Sequence, residues 1–218
     1  ALTQSKEPKL PETARYEPFF AHRVSPLAAF GVIVAGLSTA TFFSVGPIFA
    51  IAVGLGLSQI ALFLVVSVIG GMISQVPAGI LADRLSRRSV LFVYSVMAST
   101  LCLAMMLPIM DLRVIGIPLV YVMSFLFGLT TYPIYSICAT HASDFVGSDR
   151  MISLSASLIF LYASGAIISP LVAGWIIDRF GAPMMFSLIS AAHLSLMLYT
   201  VYRNFSRPAE ARRPYAYI

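Results

Sequence analysis

The sequence predicts an all-α membrane protein of six transmembrane helices, arranged as two inverted three-helix repeats. Hydrophobic residues make up 59% of the 218 residues and charged residues only 11%, a balance far from that of soluble domains. Six apolar runs are long enough to cross a bilayer. A seven-residue pattern, AGILADR at 78–84 and AGWIIDR at 173–179, lies at the ends of two of these runs.

Each apolar run has the length of a spanning helix, because about 20 apolar residues cover roughly 30 Å of hydrocarbon. Barrel strands would alternate polar and apolar residues, which these runs do not. The predicted spans are 26–50, 57–82, 89–108, 117–138, 151–177 and 183–202. They form one domain at 26–203, between a basic Pro-containing linker at 1–25 and a basic tail at 204–218.

The remaining sequence features exclude several kinds of site. The first 25 residues contain no apolar core, so they do not resemble a signal peptide. Cys102 and Cys138 fall inside predicted spans, where thiols pack as small apolar groups. No Cys/His cluster has metal-ligand spacing, and we expect neither a metal nor another cofactor.

Basic residues predict the orientation, since Lys and Arg concentrate in cytoplasmic loops. If the N-terminus is cytoplasmic, only Arg113 and Arg179 fall outside. The inner residues are then Lys6, Lys9, Arg15, Arg23, Arg84, Arg87, Arg88, Arg150, Arg203, Arg207, Arg212 and Arg213. We therefore expect both termini in the cytoplasm of a plasma (bacterial inner) membrane. These residues flank helices, so anionic lipid explains the net charge of +5 better than nucleic acid does.

The repeated pattern predicts the internal symmetry. Its two copies end the second and fifth spans, 95 residues apart. Three crossings separate them, and an odd number of crossings inverts a repeat. Many secondary transporters are built this way, with the substrate site near the midplane between repeats. The alternative is chance recurrence in a chain rich in Ala and Gly.

The first copy continues into a longer motif. Residues 79–88, GILADRLSRR, resemble the loop signature of the major facilitator superfamily, which lies between the second and third helices of each six-helix half. Ser86 stands where the family usually has Gly, which weakens the expectation of a turn with positive φ. The resemblance implies a half of the major facilitator-type fold. It also implies a cytoplasmic gate loop that contains Gly79, Asp83, Arg84, Arg87 and Arg88.

Physical chemistry suggests a role for this loop. Gly79 would allow two helices to approach closely. Asp83 would lie against the positive N-terminus of a neighbouring helix or pair with an Arg, as a latch on one side of an alternating-access cycle. The alternative is an ordinary positively charged helix end with an incidental Asp.

The family has two such halves, so the resemblance implies a partner. We expect this chain to be the C-terminal half, preceded by an N-terminal six-helix half of the same transporter. The alternative is a natural half-size protein that pairs with a second copy.

Polar and aromatic residues in the first, fourth and fifth spans are candidates for a solute cavity, because polar residues within spans tend to face a cavity or the bundle interior. The candidate cavity-lining residues are Thr39, Phe43, Thr131, Tyr132, Tyr135 and Tyr162. The alternative is that the hydroxyls bond to their own helices and the tyrosines pack. No acidic residue lies deep in a span, so a proton-coupling carboxylate would belong to the other half.

A polar cluster follows the fourth span: His141, Asp144, Asp149 and Arg150. We expect gate or capping roles there, with Ser148 or Asp149 as the N-cap of the fifth span; a solvated loop is the alternative.

Three functions remain open from the sequence. The first is transport of a small solute, with or without protons, by alternating access. The second is a six-helix scaffold or assembly subunit of a larger membrane complex. The third and most remote is a rhomboid-like intramembrane protease that uses Ser164 and His193.

Overall fold

The computed structural model describes residues 17–109, 112–114 and 116–205. Its helices are α1 (Phe20–Val24), α2 (Pro26–Ala52), α3 (Leu57–Arg84), α4 (Arg87–Met105), α5 (Leu119–Thr131), α6 (Pro133–Ser143), α7 (Met151–Phe180) and α8 (Met185–Phe205). Two short strands, β1 (Arg113–Val114) and β2 (Ile117–Pro118), form an antiparallel hairpin before α5. Most of the predicted linker, 1–16, and of the predicted tail, 206–218, lies outside the described residues.

Among the described residues, six helical segments are long and apolar enough to cross a membrane, which confirms the six predicted spans. The fourth span comprises both α5 and α6, which meet at Tyr132. Pro133 lacks an N–H that could bond to the carbonyl of Leu129, so the helix is interrupted there. We call the end of the bundle at Leu85–Ser86 the loop end, and the end at the β1–β2 hairpin the hairpin end.

The last residues of the predicted linker pack on the bundle. Ser157 of α7 accepts a hydrogen bond from the backbone N–H of Ala21 (2.9 Å) and donates one to the carbonyl of Pro18 (2.7 Å). Glu17 forms an ion pair with Arg150 at 2.8 Å. Hydrogen bonds and an ion pair therefore hold residues 17–25 against the start of α7.

The packing of the spans follows the inverted repeat. The first span (α2) packs along the fifth (α7), and the second (α3) packs along the fourth (α5), while α4 packs on α8. If spans one to three are exchanged with spans four to six, the first two pairs exchange with each other and the third maps onto itself. The predicted fold class, two inverted three-helix repeats, is therefore the one observed.

Four glycines lie at the two helix crossings that this symmetry relates. Gly36 and Gly165 lie where α2 crosses α7, and Gly70 and Gly128 lie where α3 crosses α5. A Cβ at any of them would overlap a backbone carbonyl oxygen of the facing helix, those of Tyr162, Ile33, Phe125 and Ser67 respectively. Each carbonyl lies three residues before the facing glycine. Gly70 and Gly165 are separated by 95 residues, like the two AGxxxDR copies, so the motif and the helix crossings report the same repeat.

Aromatic rings pack together in one part of the core. Phe42 of α2 stacks on Phe127 of α5 with ring centroids 4.3 Å apart, and Phe49 and Phe63 continue this cluster towards the hairpin end. Surface coverage differs between the spans. Only 28% of the most apolar stretch of α3, and likewise of α7, is buried inside the bundle, against 61% of that of α2. The second and fifth spans therefore expose large apolar faces.

Candidate functional site

The α3–α4 loop consists of only Leu85 and Ser86. Ser86 has φ −66° and ψ 131°, and its hydroxyl accepts a hydrogen bond from the N–H of Ser89 at 3.1 Å. It is therefore the N-cap of α4. Because its φ is negative, the backbone does not require the glycine of the family pattern, and the turn is preserved with serine.

Arg87 connects this loop to the end of α6. Its guanidinium forms an ion pair with Asp144 at 2.8 Å and also donates to the backbone carbonyl of Thr140. Both side chains are largely shielded from solvent, with 15% of Arg87 and 29% of Asp144 exposed. A charge-assisted contact of this kind is stronger than a neutral hydrogen bond. Arg87 therefore ties the start of the third span to the end of the fourth at the loop end.

The surroundings of Asp144 shift the pKa of its carboxyl. Burial raises the pKa of its carboxyl; the neighbouring Arg87 opposes this rise, and the negative charge of Asp83 adds to it. The two aspartates are thus close enough to repel each other. Of the other gate-loop residues, Asp83 and Arg84 are exposed and Arg88 is partly buried. The latch role of Asp83 itself stays a prediction.

The close helix approach predicted at Gly79 is not present among the described residues. A Cβ at Gly79 would meet nothing within 4 Å. The contact occurs instead at Gly70 and Gly71, more than two turns earlier in α3. Gly79 lies on the exposed face of α3, whereas its neighbour Ala78 is buried in the core.

The residues of the polar cluster predicted after the fourth span have several different partners. His141 is buried and packs edge-to-face on Phe145, with ring centroids 5.3 Å apart. Arg150 pairs with Glu17 and lies 4.0 Å from the centroid of the Phe20 ring.

The predicted capping role of Ser148 or Asp149 is wrong. A 3₁₀ turn, Ser148–Arg150, precedes α7, and neither it nor α7 has a side-chain cap hydrogen bond. The turn moves the helix start to Met151, with Arg150 in the N-cap position.

Aromatic residues of three spans form a continuous wall on one side of the bundle. Phe43 of α2 stacks on Tyr132 with centroids 6.2 Å apart, and Tyr135 of α6 meets Tyr162 of α7 edge-to-face at 5.5 Å. The Tyr132 hydroxyl lies 3.0 Å from Ser67 Oγ of α3. Phe43 is 41% exposed and the three tyrosines are partly exposed. We call Phe43, Tyr132, Tyr135 and Tyr162 the aromatic wall.

The two threonines predicted to line the cavity differ in position. Thr39 is partly exposed. Thr131 is only 1% exposed, so it lies inside the bundle and does not reach the surface of the aromatic wall. It directly precedes Tyr132, and consecutive residues of a helix face different directions.

A second sequence pattern of the same inverted repeat contains Phe43, Tyr132 and Tyr135 of the wall. It was not recognised from the sequence. GLSTATFFS at 36–44 in α2 and GLTTYPIYS at 128–136 in α5 and α6 align from their crossing glycines. Phe43 then corresponds to Tyr135, and the exposed Ser44 to the exposed Ser136. A search for similar segments in corresponding spans would have found this pattern.

The Ser164 and His193 side chains have separate partners. His193 Nε2 lies 3.0 Å from Ser38 Oγ, whereas the Ser164 hydroxyl donates to the carbonyl of Phe160 at 2.9 Å. Ser38 also donates to the carbonyl of Val34, so it accepts a hydrogen bond from His193. This arrangement connects α2 to α8 and does not pair Ser164 with His193.

The fold and these sites define an integral membrane protein built from two inverted three-helix repeats, an architecture found in many secondary transporters. Residues 28–216 match the family model described as Major Facilitator Superfamily. The chain therefore belongs to the Major Facilitator Superfamily. This membership indicates a non-enzymatic transporter and removes the support for a protease.

Similar proteins include uncharacterized MFS-type transporters of three bacteria. The chain is 22% identical to one from Enterobacter sp. (strain 638) over 187 residues, which cover 86% of this chain and 47% of that protein. It is 20% identical to one from Yersinia enterocolitica, covering 91% of this chain and 49% of the relative. One from Escherichia fergusonii is 22% identical, with 85% and 47% covered. The chain thus spans about half the length of these relatives, and no solved structure is significantly similar to it.

Proposed function

We propose that this chain is the C-terminal half of a secondary transporter that moves a small solute by alternating access. The observation that carries the proposal is the combination of one six-helix unit with a partly exposed aromatic wall. A wall of this kind needs a facing surface to enclose a solute. The relatives are about twice as long as this chain, which is long enough for a second six-helix unit.

The exposed apolar faces of α3 and α7 support an N-terminal half as the partner. These faces carry large side chains such as Met72, Val76, Ile167 and Leu171, each more than half exposed. They flank the side on which α2 and α6 present the aromatic wall. A second half packed along α3 and α7 would leave the wall facing a central cavity. A second copy of this chain is the alternative partner, and lipid covers the remaining apolar surface.

Replacement of Asp83 tests the proposed gate. The full-length protein is reconstituted in proteoliposomes, and solute uptake is compared for Asp83→Ala and Asp178→Ala, the corresponding position of the second AGxxxDR copy. Contacts of a carboxylate with a helix N-terminus contribute about 0.3 to 2 kcal/mol, so Asp83→Ala should slow uptake roughly 2- to 30-fold. Asp178→Ala should have little effect. Equal effects of both variants, or no effect of Asp83→Ala, would contradict the gate assignment.

We also propose that both chain ends are cytoplasmic in a bacterial inner membrane, on the basis of the basic loop end. Membrane-impermeant thiol labelling of intact cells tests this orientation. Both native cysteines are buried, so they add little background. Gly116→Cys in the hairpin should react from outside, whereas Ser86→Cys should react only after the cells are opened. The reverse pattern would invert the topology.

A further inference from the structure

We propose that the aromatic wall recognises an uncharged solute with a flat apolar ring and a hydrogen-bonding group at its edge. This inference rests on the proposed transport function and specifies the class of solute.

The wall presents ring faces from three spans at one surface. Phe43 and Tyr132 are nearly parallel, with an interplanar angle of 20°, whereas Tyr135 and Tyr162 are nearly perpendicular at 85°. Tyr132 and Tyr135 are three residues apart in the fourth span, so the two aromatic pairs are neighbours. A flat ring can therefore stack on one pair and meet the edge of the other, the two arrangements that aromatic rings prefer.

Two hydroxyls of the wall are available to a ligand. The Tyr132 hydroxyl is already engaged with Ser67. Within the described residues, the hydroxyls of Tyr135 and Tyr162 have no hydrogen-bond partner, and both side chains are partly exposed. Each can donate and accept one hydrogen bond. The wall thus provides fixed polar positions at the edge of an otherwise apolar surface.

The wall offers nothing to compensate a charge. In the described spans, Asp, Glu, Lys and Arg occur only near helix ends. The mid-span His193 is fully buried and is bonded to Ser38 on α2. Transfer of an unpaired charge from water to an apolar surface is unfavourable. A charged solute would lose hydration here without gaining a counter-charge, whereas an uncharged ring would not.

The inverted repeat places related groups on both sides of the wall. Phe43–Ser44 and Tyr135–Ser136 occupy corresponding positions of GLSTATFFS and GLTTYPIYS, and both serines are exposed. A solute near the repeat axis therefore meets a ring and a hydroxyl from each repeat.

Three matched indole compounds test the class of solute. Tryptophol is uncharged, tryptamine is a cation and indole-3-acetate is an anion at pH 7, while the ring is the same. Binding to the detergent-solubilised full-length protein is measured by isothermal titration calorimetry. We expect tryptophol to bind at least tenfold more tightly than either charged compound. Equal or tighter binding of a charged compound, or no binding of any of the three, would overturn the inference.

Variants locate the binding to the wall. The double variant Tyr135→Phe/Tyr162→Phe keeps the rings and removes both free hydroxyls, so tryptophol affinity should fall about three- to tenfold. Phe43→Leu should also weaken binding. The control is Tyr199→Phe in α8, whose ring contacts Phe30 and Tyr202 and no ring of the wall, and it should bind tryptophol like the wild type. If the control loses as much affinity as the double variant, the assignment to the wall is wrong.

Transport is scored separately from binding. If tryptophol binds as expected but proteoliposomes move no solute under any ion gradient, the proposed function fails and the recognition by the wall stands. If transport occurs and only charged solutes compete for it, the inference about solute class fails.

Discussion

The helix crossing at Gly165 gives a quantitative test of the fold. A Cβ at Gly165 would lie closer to the carbonyl oxygen of Ile33 than the 3.0 Å that such contacts respect, and would lie 3.1 Å from the backbone nitrogen of Leu37. Both obstacles are backbone atoms of α2, so neither can rotate away. Gly174, nine residues later in α7, has nothing within 4 Å of the corresponding position. It provides a matched control in the same helix.

Two opposing effects determine the result of Gly165→Ala. Alanine is favoured over glycine in a helix by about 1 kcal/mol, and this gain applies at both positions. At Gly165 the methyl group also forces α2 and α7 apart, and overpacking of this kind costs roughly 1 to 3 kcal/mol or more. Gly174→Ala should therefore stabilise the protein by up to about 1 kcal/mol. Gly165→Ala should be less stable than Gly174→Ala by about 1 to 3 kcal/mol.

Unfolding of the full-length protein in detergent measures this difference. SDS titration, followed by circular dichroism, gives the free energy of unfolding of each variant relative to the wild type. Gly36→Ala, which faces Gly165 across the same crossing, should behave like Gly165→Ala. If Gly165→Ala is as stable as Gly174→Ala, the backbones do not meet at this crossing and the register of the repeat is wrong.

Two further predictions concern the loop end. Burial raises the pKa of the Asp144 carboxyl when the protein folds, so the protonated form is favoured in the folded state. The contribution of Asp144 to stability should then decrease as the pH rises through its folded pKa. The difference in unfolding free energy between wild type and Asp144→Asn, measured from about pH 4 to pH 7, should fall, and a rise would contradict the burial. Ser157→Ala removes both hydrogen bonds that hold residues 17–25, so hydrogen exchange of the Phe20–Val24 amides should accelerate at least tenfold. The exposed Ser155→Ala should leave that exchange unchanged, and equal exchange in both variants would contradict the docking.

The number, order and inversion of the spans could be predicted from the sequence. Apolar length alone identifies a spanning helix, because lipid leaves few alternatives for the backbone. The AGxxxDR pair was sufficient for the symmetry, since an odd number of crossings separates its copies. These features depend on local composition and counting, so they did not require knowledge of contacts.

The contacts that define the sites could not be predicted in the same way. The attachment of residues 17–25 depends on Ser157 and Arg150, more than 130 residues away. The Arg87–Asp144 pair joins the start of α4 to the residue after α6, and nothing in either sequence segment identifies the other. Of the candidate cavity-lining residues, Phe43, Tyr132, Tyr135 and Tyr162 lie together in the aromatic wall, and their role in lining a cavity stays a prediction. Thr131 is buried. Residue spacing alone did not indicate which way each side chain of the interrupted fourth span faces.

The two ends of the bundle use the same repeat with different chemistry. The crossing glycines relate Gly70 to Gly165 by 95 residues and Gly36 to Gly128 by 92 residues. With the first offset Arg87 corresponds to Ala182, and with the second Asp144 corresponds to Ala52. The ion pair at the loop end is thus replaced at the hairpin end by two alanines, in a region where the turn Ala182–Met184 packs against α2. Ser86 corresponds to Gly181, whose φ of 91° requires glycine. An apolar contact has no charge to neutralise, whereas the Arg87–Asp144 pair responds to protonation and to nearby charge. Within this six-helix unit, sensitivity to pH and to charged partners should therefore be concentrated at the loop end.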